Sequence, residues 1–171
     1  GPGRAELTLV SFDSRELLVA ICGLLVVYGV DVVSGHAFTQ EVPGGRSRCV
    51  DTFEVRVPVE ADWDLLWSQY HCDLVEFVEE TAAGHGEDVL ARLTDRVARH
   101  VTAVEDPGGR LLPVEIVVDN DVSGSATVLT IQADDTVGFL YECAHALSLA
   151  GIEIRRLVVA TEGNRVRDRL H

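Results

Sequence analysis

The chain is partly written twice. When its C-terminal third is laid over its N-terminal third, Asp135 falls on Asp13, Leu140 on Leu18, Leu147 on Leu25, Gly151 on Gly29 and Thr161 on Thr39. Conservative pairs lie between them: Ser14 with Thr136, Leu17 with Phe139, Val30 with Ile152 and Val32 with Ile154. After a short gap, Val50-Asp51 aligns near Arg167-Asp168. A repeat of this size means one supersecondary unit used twice, so both copies must share one element order.

In the first copy, Glu6 to Phe12 alternates apolar and polar, which predicts a strand. Leu17, Leu18, Ile21, Leu25 and Tyr28 follow helical spacing. Asp13 or Ser14 stands where a helix cap belongs, and Gly29 where a left-handed C-terminal stop belongs. A strand from Val30 to about Thr39, a turn at Pro43-Gly44-Gly45 and a strand from Arg48 to Val57 follow. In the second copy the equivalents are a strand over Thr127–Ala133 and a helix over Thr136–Ala150. Gly151 then stops the helix, a strand runs over Ile152–Thr161, a turn sits at Glu162-Gly163-Asn164, and a last strand runs over Arg165–His171. The apolar run from Leu17 to Val30 is too short to cross a bilayer and predicts a buried helix.

Between the copies lie two helical stretches, Asp62–Thr81 and Glu87–Val104, broken at Ala82-Ala83-Gly84, and then a short strand over Pro113–Val118. One helix and that strand would complete a β-α-β-β-α-β unit. The expected organisation is a first unit at 5–119, with a helical insert at 60–106, and a second unit at 124–171 that is incomplete at its C-terminus. The two sheets are expected to join edge to edge, which would protect their open strands. Glu87–Val104 is expected to cover the second unit's bare sheet face. With no Met anywhere, the chain is expected to be a piece of a longer protein.

Charge narrows the function. The net charge is −14, all 14 basic residues are Arg, and there is no Lys. The acidity is concentrated at 60–106, which holds twelve acids and three Arg. Such a surface repels phosphate backbones and anionic headgroups, so neither nucleic acid nor membrane is an expected partner. Schiff-base and phosphate-loop lysine chemistry is excluded. No glycine-rich phosphate loop, GxSxG or HExxH pattern occurs, so no catalytic site is assigned. Cys22, Cys49, Cys72 and Cys143 lack metal or redox spacing and are read as small buried hydrophobes in a reducing cytoplasm. No metal or cofactor is expected. His71 beside Cys72 lacks a third ligand at suitable spacing. Glu76, Glu79 and Glu80 are read as a solvated helix face, and His145 as a satisfied or surface histidine.

The stretch Asp135-Thr136-Val137-Gly138-Phe139-Leu140, with Leu147, Gly151-Ile152, Ala160-Thr161 and Val166-Arg167-Asp168, resembles an ACT domain. Asp13, Leu17-Leu18, Gly29-Val30, Thr39 and Val50-Asp51-Thr52-Phe53 carry the same resemblance in the first copy. Two such units in tandem, with the Val117-Val118-Asp119-Asn120 lead-in, resemble the C-terminal end of bacterial PII-protein uridylyltransferase/uridylyl-removing enzymes. The resemblance implies an α+β fold of two ferredoxin-like units with antiparallel sheets. It also implies regulation by a bound amino acid, with glutamine first, and catalytic domains upstream in the same polypeptide. A homodimer is a further expected partnership. The rival expectation is a ligand-free module for dimerisation or domain docking.

The expected binding site follows from the physics of that turn. A strand–turn–helix junction presents unpaired N–H groups and the positive end of a helix dipole to a carboxylate. Candidate ligand contacts are Asp135, Thr136, Val137, Gly138 and Phe139. Gly138 lets a ligand approach or permits a tight turn, and Asp135 receives an ammonium if it is not consumed as a helix cap. By the resemblance, the second strand of the neighbouring unit contributes, with Ser34, Gly35 and His36 as candidates. The first copy has Glu16 where the second has Gly138, and Glu16 would repel a carboxylate, so the second turn is the preferred site.

Overall fold

The computed structural model describes residues 3–104, 114–123, 126–163 and 165–171. Asn164, within one expected turn, and Pro113, at the start of one expected strand, lie outside the described residues. The element order is β1 (Arg4–Phe12), α1 (Leu17–Val27), β2 (Asp31–Gln40), β3 (Arg48–Arg56), α2 (Trp63–Ala82), α3 (Gly86–Val104), β4 (Glu115–Asp119), β5 (Val128–Asp134), α4 (Phe139–Leu149), β6 (Arg156–Glu162) and β7 (Arg165–Leu170). The strand alternation and helix spacing of the sequence therefore emerge as the expected elements, and the fold is α+β with antiparallel pairing throughout.

The repeat is visible in backbone detail. After α1, the Gly29 N–H donates to the Val26 carbonyl and the Val30 N–H to that of Leu25. After α4, Gly151 and Ile152 donate in the same way to Ser148 and Leu147. Both helices close with the same Schellman motif, each with its glycine at positive φ.

The seven strands form one sheet in the order β1-β3-β2-β6-β7-β5-β4. The two units join where β2 pairs with β6, from Ser34 opposite Ala160 to Phe38 opposite Arg156. This is the expected edge-to-edge junction. The strand expected to finish the first unit does something else: β4 pairs with β5, with Ile116 opposite Ile131 and Val118 opposite Leu129. In a ferredoxin-like sheet the fourth strand lies beside the first, so β4 occupies the fourth-strand place of the second unit. Among the described residues, the other strands of that unit are β5, β6 and β7, and β1 has no strand on its outer edge.

The helices lie on one face of the sheet. Phe53 and Val55 on β3 are fully buried beneath α1, while Leu157, Val159 and Val166 pack with Phe139 of α4. α1 is flanked by α2, α3 and α4 and buries nine of its eleven residues, which is why it is apolar all round. α2 contributes Leu66, Tyr70, Leu74 and Phe77, and α3 contributes Val89, Leu93 and Val97 to the same cluster. The expectation that residues 87–104 cover the second sheet face is not met: among the described residues, the cluster over β5–β7 contains none from α3, and Ile116 and Val118 remain more than half exposed. The strong apolar stripe of α3 is satisfied by α1 instead.

Cys22 and Cys49 are buried as expected, but Cys72 is exposed on α2. Glu76 and Glu79 are exposed, and Glu80 pairs with Arg92 across the α2–α3 hairpin. α2 begins at Asp62, whose Oδ1 accepts the Leu65 N–H at 3.1 Å. Asp62→Ala removes this cap and is expected to cost about 1 kcal/mol, read as a lower denaturant midpoint at unchanged slope.

Candidate functional site

The junction between the units encloses a cavity of about 470 Å³. The second unit supplies the β5–α4 turn, Asp135 to Gly138, the start of α4 and the inward side chains Val159, Thr161, Val166 and Asp168. The first unit supplies the end of α1, the chain from Gly29 to Val32, and His100 of α3. Its walls are mostly apolar, with a few polar groups converging. This is the composition expected of a small-molecule site.

Five of the eight residues expected at the site, Asp135 to Phe139, line this cavity together. Ser34, Gly35 and His36 sit further along β2, at the seam with β6. The Ser34 hydroxyl donates to Glu54, Gly35 is buried against Phe53, and His36 is exposed on the face away from the helices. The part of the first unit's second strand that reaches the cavity is Asp31 and Val32, preceded by Val30.

The two aspartates expected as helix caps do not cap. α4 has Gly138 at its N-cap and α1 has Glu16, neither with a side-chain cap bond. In each copy a tight bend precedes the helix: the Phe139 N–H donates to the Thr136 carbonyl and the Leu17 N–H to that of Ser14, both at 3.1 Å. That bend places Asp13 and Asp135 three residues before the cap position, out of reach of the first-turn amides. The copies differ at the cap itself. Gly138 has φ +83°, which a side-chain-bearing residue adopts only with strain, whereas Glu16 is right-handed helical at φ −86°. The left-handed turn therefore explains Gly138 by itself, and a Cβ there would meet Val101 and Val26 only at 3.6–3.7 Å.

Asp135 is free of cap duty and lines the cavity. Burial raises its pKa, the charge of Asp31 adds to that, and Arg56 opposes it. Asp31 is also raised by burial, and is held back by its ion pair with Arg56 at 3.0 Å.

Two further carboxylates stand out. Asp51 and Asp168 are the buried charged residues among those described, at 3% and 2% exposure. They occupy matched places on β3 and β7, and each accepts a backbone N–H from the matched strand, Phe38 for Asp51 and Ala160 for Asp168. Burial pushes Asp51 up to about 6 and Asp168 up to about 7; the N–H bonds oppose this, while Asp13 and Asp135 respectively reinforce it. Asp168 lines the cavity and so does Thr161, yet neither is among the site residues expected from sequence. The signal was available: Val166, Asp168 and Leu170 share one face of an alternating strand, so an aspartate faces the core there.

The fold and this site define a class: two ferredoxin-like units fused through one sheet, with a ligand-sized cavity between them. The proteins that the chain is similar to are bifunctional uridylyltransferase/uridylyl-removing enzymes. It is 29% identical over 97% of its length to one from Bradyrhizobium sp. (strain ORS 278), 28% over 95% to one from Streptomyces coelicolor, and 25% over 95% to one from Ralstonia nicotianae. This is the resemblance drawn above from the residues. The chain spans only 17–18% of the length of these relatives. No family model matches the chain. No solved structure matches it either.

Proposed function

We propose that this chain is an amino-acid-sensing tandem ACT module, with glutamine the first candidate ligand, in a cytoplasmic enzyme of the PII uridylyltransferase/uridylyl-removing type. The observation that carries this reading is the cavity between the units, with the first turn of α4 and three carboxylates on its wall. A zwitterion suits such a wall: its carboxylate meets the positive end of α4 and its ammonium meets an aspartate. Asp135, Thr136, Val137, Gly138 and Phe139 are the proposed contacts of the second unit. Because each unit contributes one wall, a ligand that prefers one arrangement of the walls shifts the population of the whole module, and through it the upstream catalytic domains.

Calorimetric titration of the folded chain with L-glutamine and the other amino acids tests the reading. Saturable binding of one of them is expected; no binding heat from any would sink it. A Gly138→Glu variant places an acid at the mouth of the site and is expected to weaken binding at least tenfold. Circular dichroism confirms that the variant is folded. Unchanged binding by the folded variant would move the site elsewhere.

One observation favours the rival reading, a ligand-free docking or dimerisation module. The sheet face away from the helices exposes a cross-strand row of Val10, Val50 and Phe38. Sedimentation of the chain at rising concentration separates the readings, since a dimer that forms regardless of amino acids supports the rival.

A further inference from the structure

The two units offer an internal comparison at matched positions. Asp13, Thr39 and Asp51 in the first correspond to Asp135, Thr161 and Asp168 in the second. In the first unit Thr39 hydrogen-bonds the Asp13 carboxylate, and the pocket that all three residues line is about 20 Å³. That is room for about one water molecule, which needs roughly 10–15 Å³ of such space. In the second unit the same trio is open. The Thr161 hydroxyl and one carboxylate oxygen of Asp168, both buried, have no hydrogen-bond partner among the described residues. Both residues belong to the wall of the cavity of about 470 Å³. A buried polar oxygen without a partner costs roughly 1–3 kcal/mol, more if charged, so two in one cavity need an explanation.

We infer that the Asp168 carboxylate and the Thr161 hydroxyl form the recognition point for a ligand ammonium group. This rests on the sensor reading and deepens it, by moving the ammonium contact from the turn, at Asp135, to the buried pair behind it. The charge of the site supports a cation. Asp31, Asp135 and Asp168 all line the cavity, and Arg56 pairs with Asp31. A second carboxylate group placed beside Asp168 would meet three acids; an ammonium offers three donors to oxygens that lack them. Orientation follows: the ligand ammonium lies inward at Asp168 and Thr161, and its carboxylate outward at the first turn of α4.

The test compares L-glutamine with glutarate monoamide, which is glutamine without its ammonium, on the parent chain and on Asp168→Asn and Thr161→Val. Each variant keeps the size of the side chain. The expected result is a loss of about 30-fold in L-glutamine affinity for Asp168→Asn, a smaller loss for Thr161→Val, and a similarly large deficit for glutarate monoamide on the parent chain. Equal binding of L-glutamine by the parent and a folded Asp168→Asn variant would overturn the inference and leave the sensor reading intact. So would equal binding of glutarate monoamide and L-glutamine. If no amino acid binds, the sensor reading fails alone, and n-butylammonium chloride becomes the probe. A rise in thermal midpoint with n-butylammonium but not with sodium butyrate, lost in Asp168→Asn, sustains the inference. No rise, or a rise that survives Asp168→Asn, overturns it.

Discussion

Gly35→Ala is expected to lower the thermal midpoint by about 10 °C. A Cβ built on Gly35 would stand 2.3 Å from Cδ1 of Phe53 and 2.9 Å from the Thr52 carbonyl oxygen. Gly35 faces Phe53 directly across the β2–β3 ladder. Phe53 is fully buried and cannot swing away without displacing α1, and the carbonyl is fixed in the sheet. Overpacking of this kind costs about 3 kcal/mol, which in a domain of this size moves the midpoint by roughly 6–12 °C. Shortening the obstacle should recover part of the loss. Phe53→Leu alone leaves a cavity and is destabilising, but the pair Gly35→Ala/Phe53→Leu should be more stable than the sum of the single effects, by about 1 kcal/mol or more. Additive effects in denaturant unfolding would show that the contact is not the cause.

Raising the pH from 5 to 8 is expected to destabilise the protein, by on the order of several kcal/mol, and Asp168→Asn should remove much of that slope. Asp168 titrates at about 7 and Asp51 at about 6 in the folded chain, against about 3.9 for an aspartate in the unfolded chain. The folded state therefore holds these protons more tightly. The stability they confer is fully present below the unfolded value and is lost as the pH rises through 6 and then 7. Of the groups around Asp168, the charge of Asp135 reinforces this direction and the Ala160 N–H opposes it. Asp135 faces it from the β5–α4 turn, and Cys22 of α1 and Cys143 of α4 stay protonated beside it because burial raises both. Asp31, paired with Arg56, and the His100 side chain of α3 complete the polar surroundings of the cavity. Asp168→Asn should match the parent near pH 5 and exceed its stability at pH 8 by on the order of 2 kcal/mol. Parallel midpoint–pH curves for parent and variant would refute the assignment.

The repeat was legible because matched residues do matched work: Gly29 and Gly151 close their helices with the same hydrogen bonds. Strand alternation and helical spacing placed every element within a few residues. The destination of β4 was not legible. A five-residue apolar strand carries no mark of which edge it will join, and the choice fell to the edge the second unit leaves unfilled. The fate of α3 was hidden for a related reason, since its apolar stripe fits the exposed flank of α1 as well as it would a bare sheet.

The site was half legible. The Asp135–Phe139 turn announces itself by composition, and it does line the cavity. Its aspartate could not be distinguished from a helix cap until the bend at Thr136 was seen. Thr161 and Asp168 were both present among the repeated pairs, yet repetition alone gives the same weight to Thr39 and Asp51, which share a pocket of only about 20 Å³. What separates the copies is empty space, and space is a property of packing that no single residue encodes.

The seam between β2 and β6 also sets how this molecule can yield. Five residue pairs, from Ser34 opposite Ala160 to Phe38 opposite Arg156, rivet the units into one plate. Jaws that open about a hinge need a few unpaired residues to absorb the rotation, and the seam supplies none. The spacing of the cavity walls is therefore set at the sheet by this seam, and the wall beyond it is made by helices: the end of α1, the start of α4 and His100 of α3. If the chain binds a ligand as proposed, the seam leaves the helices, not the angle between the units, as the part of the wall free to respond.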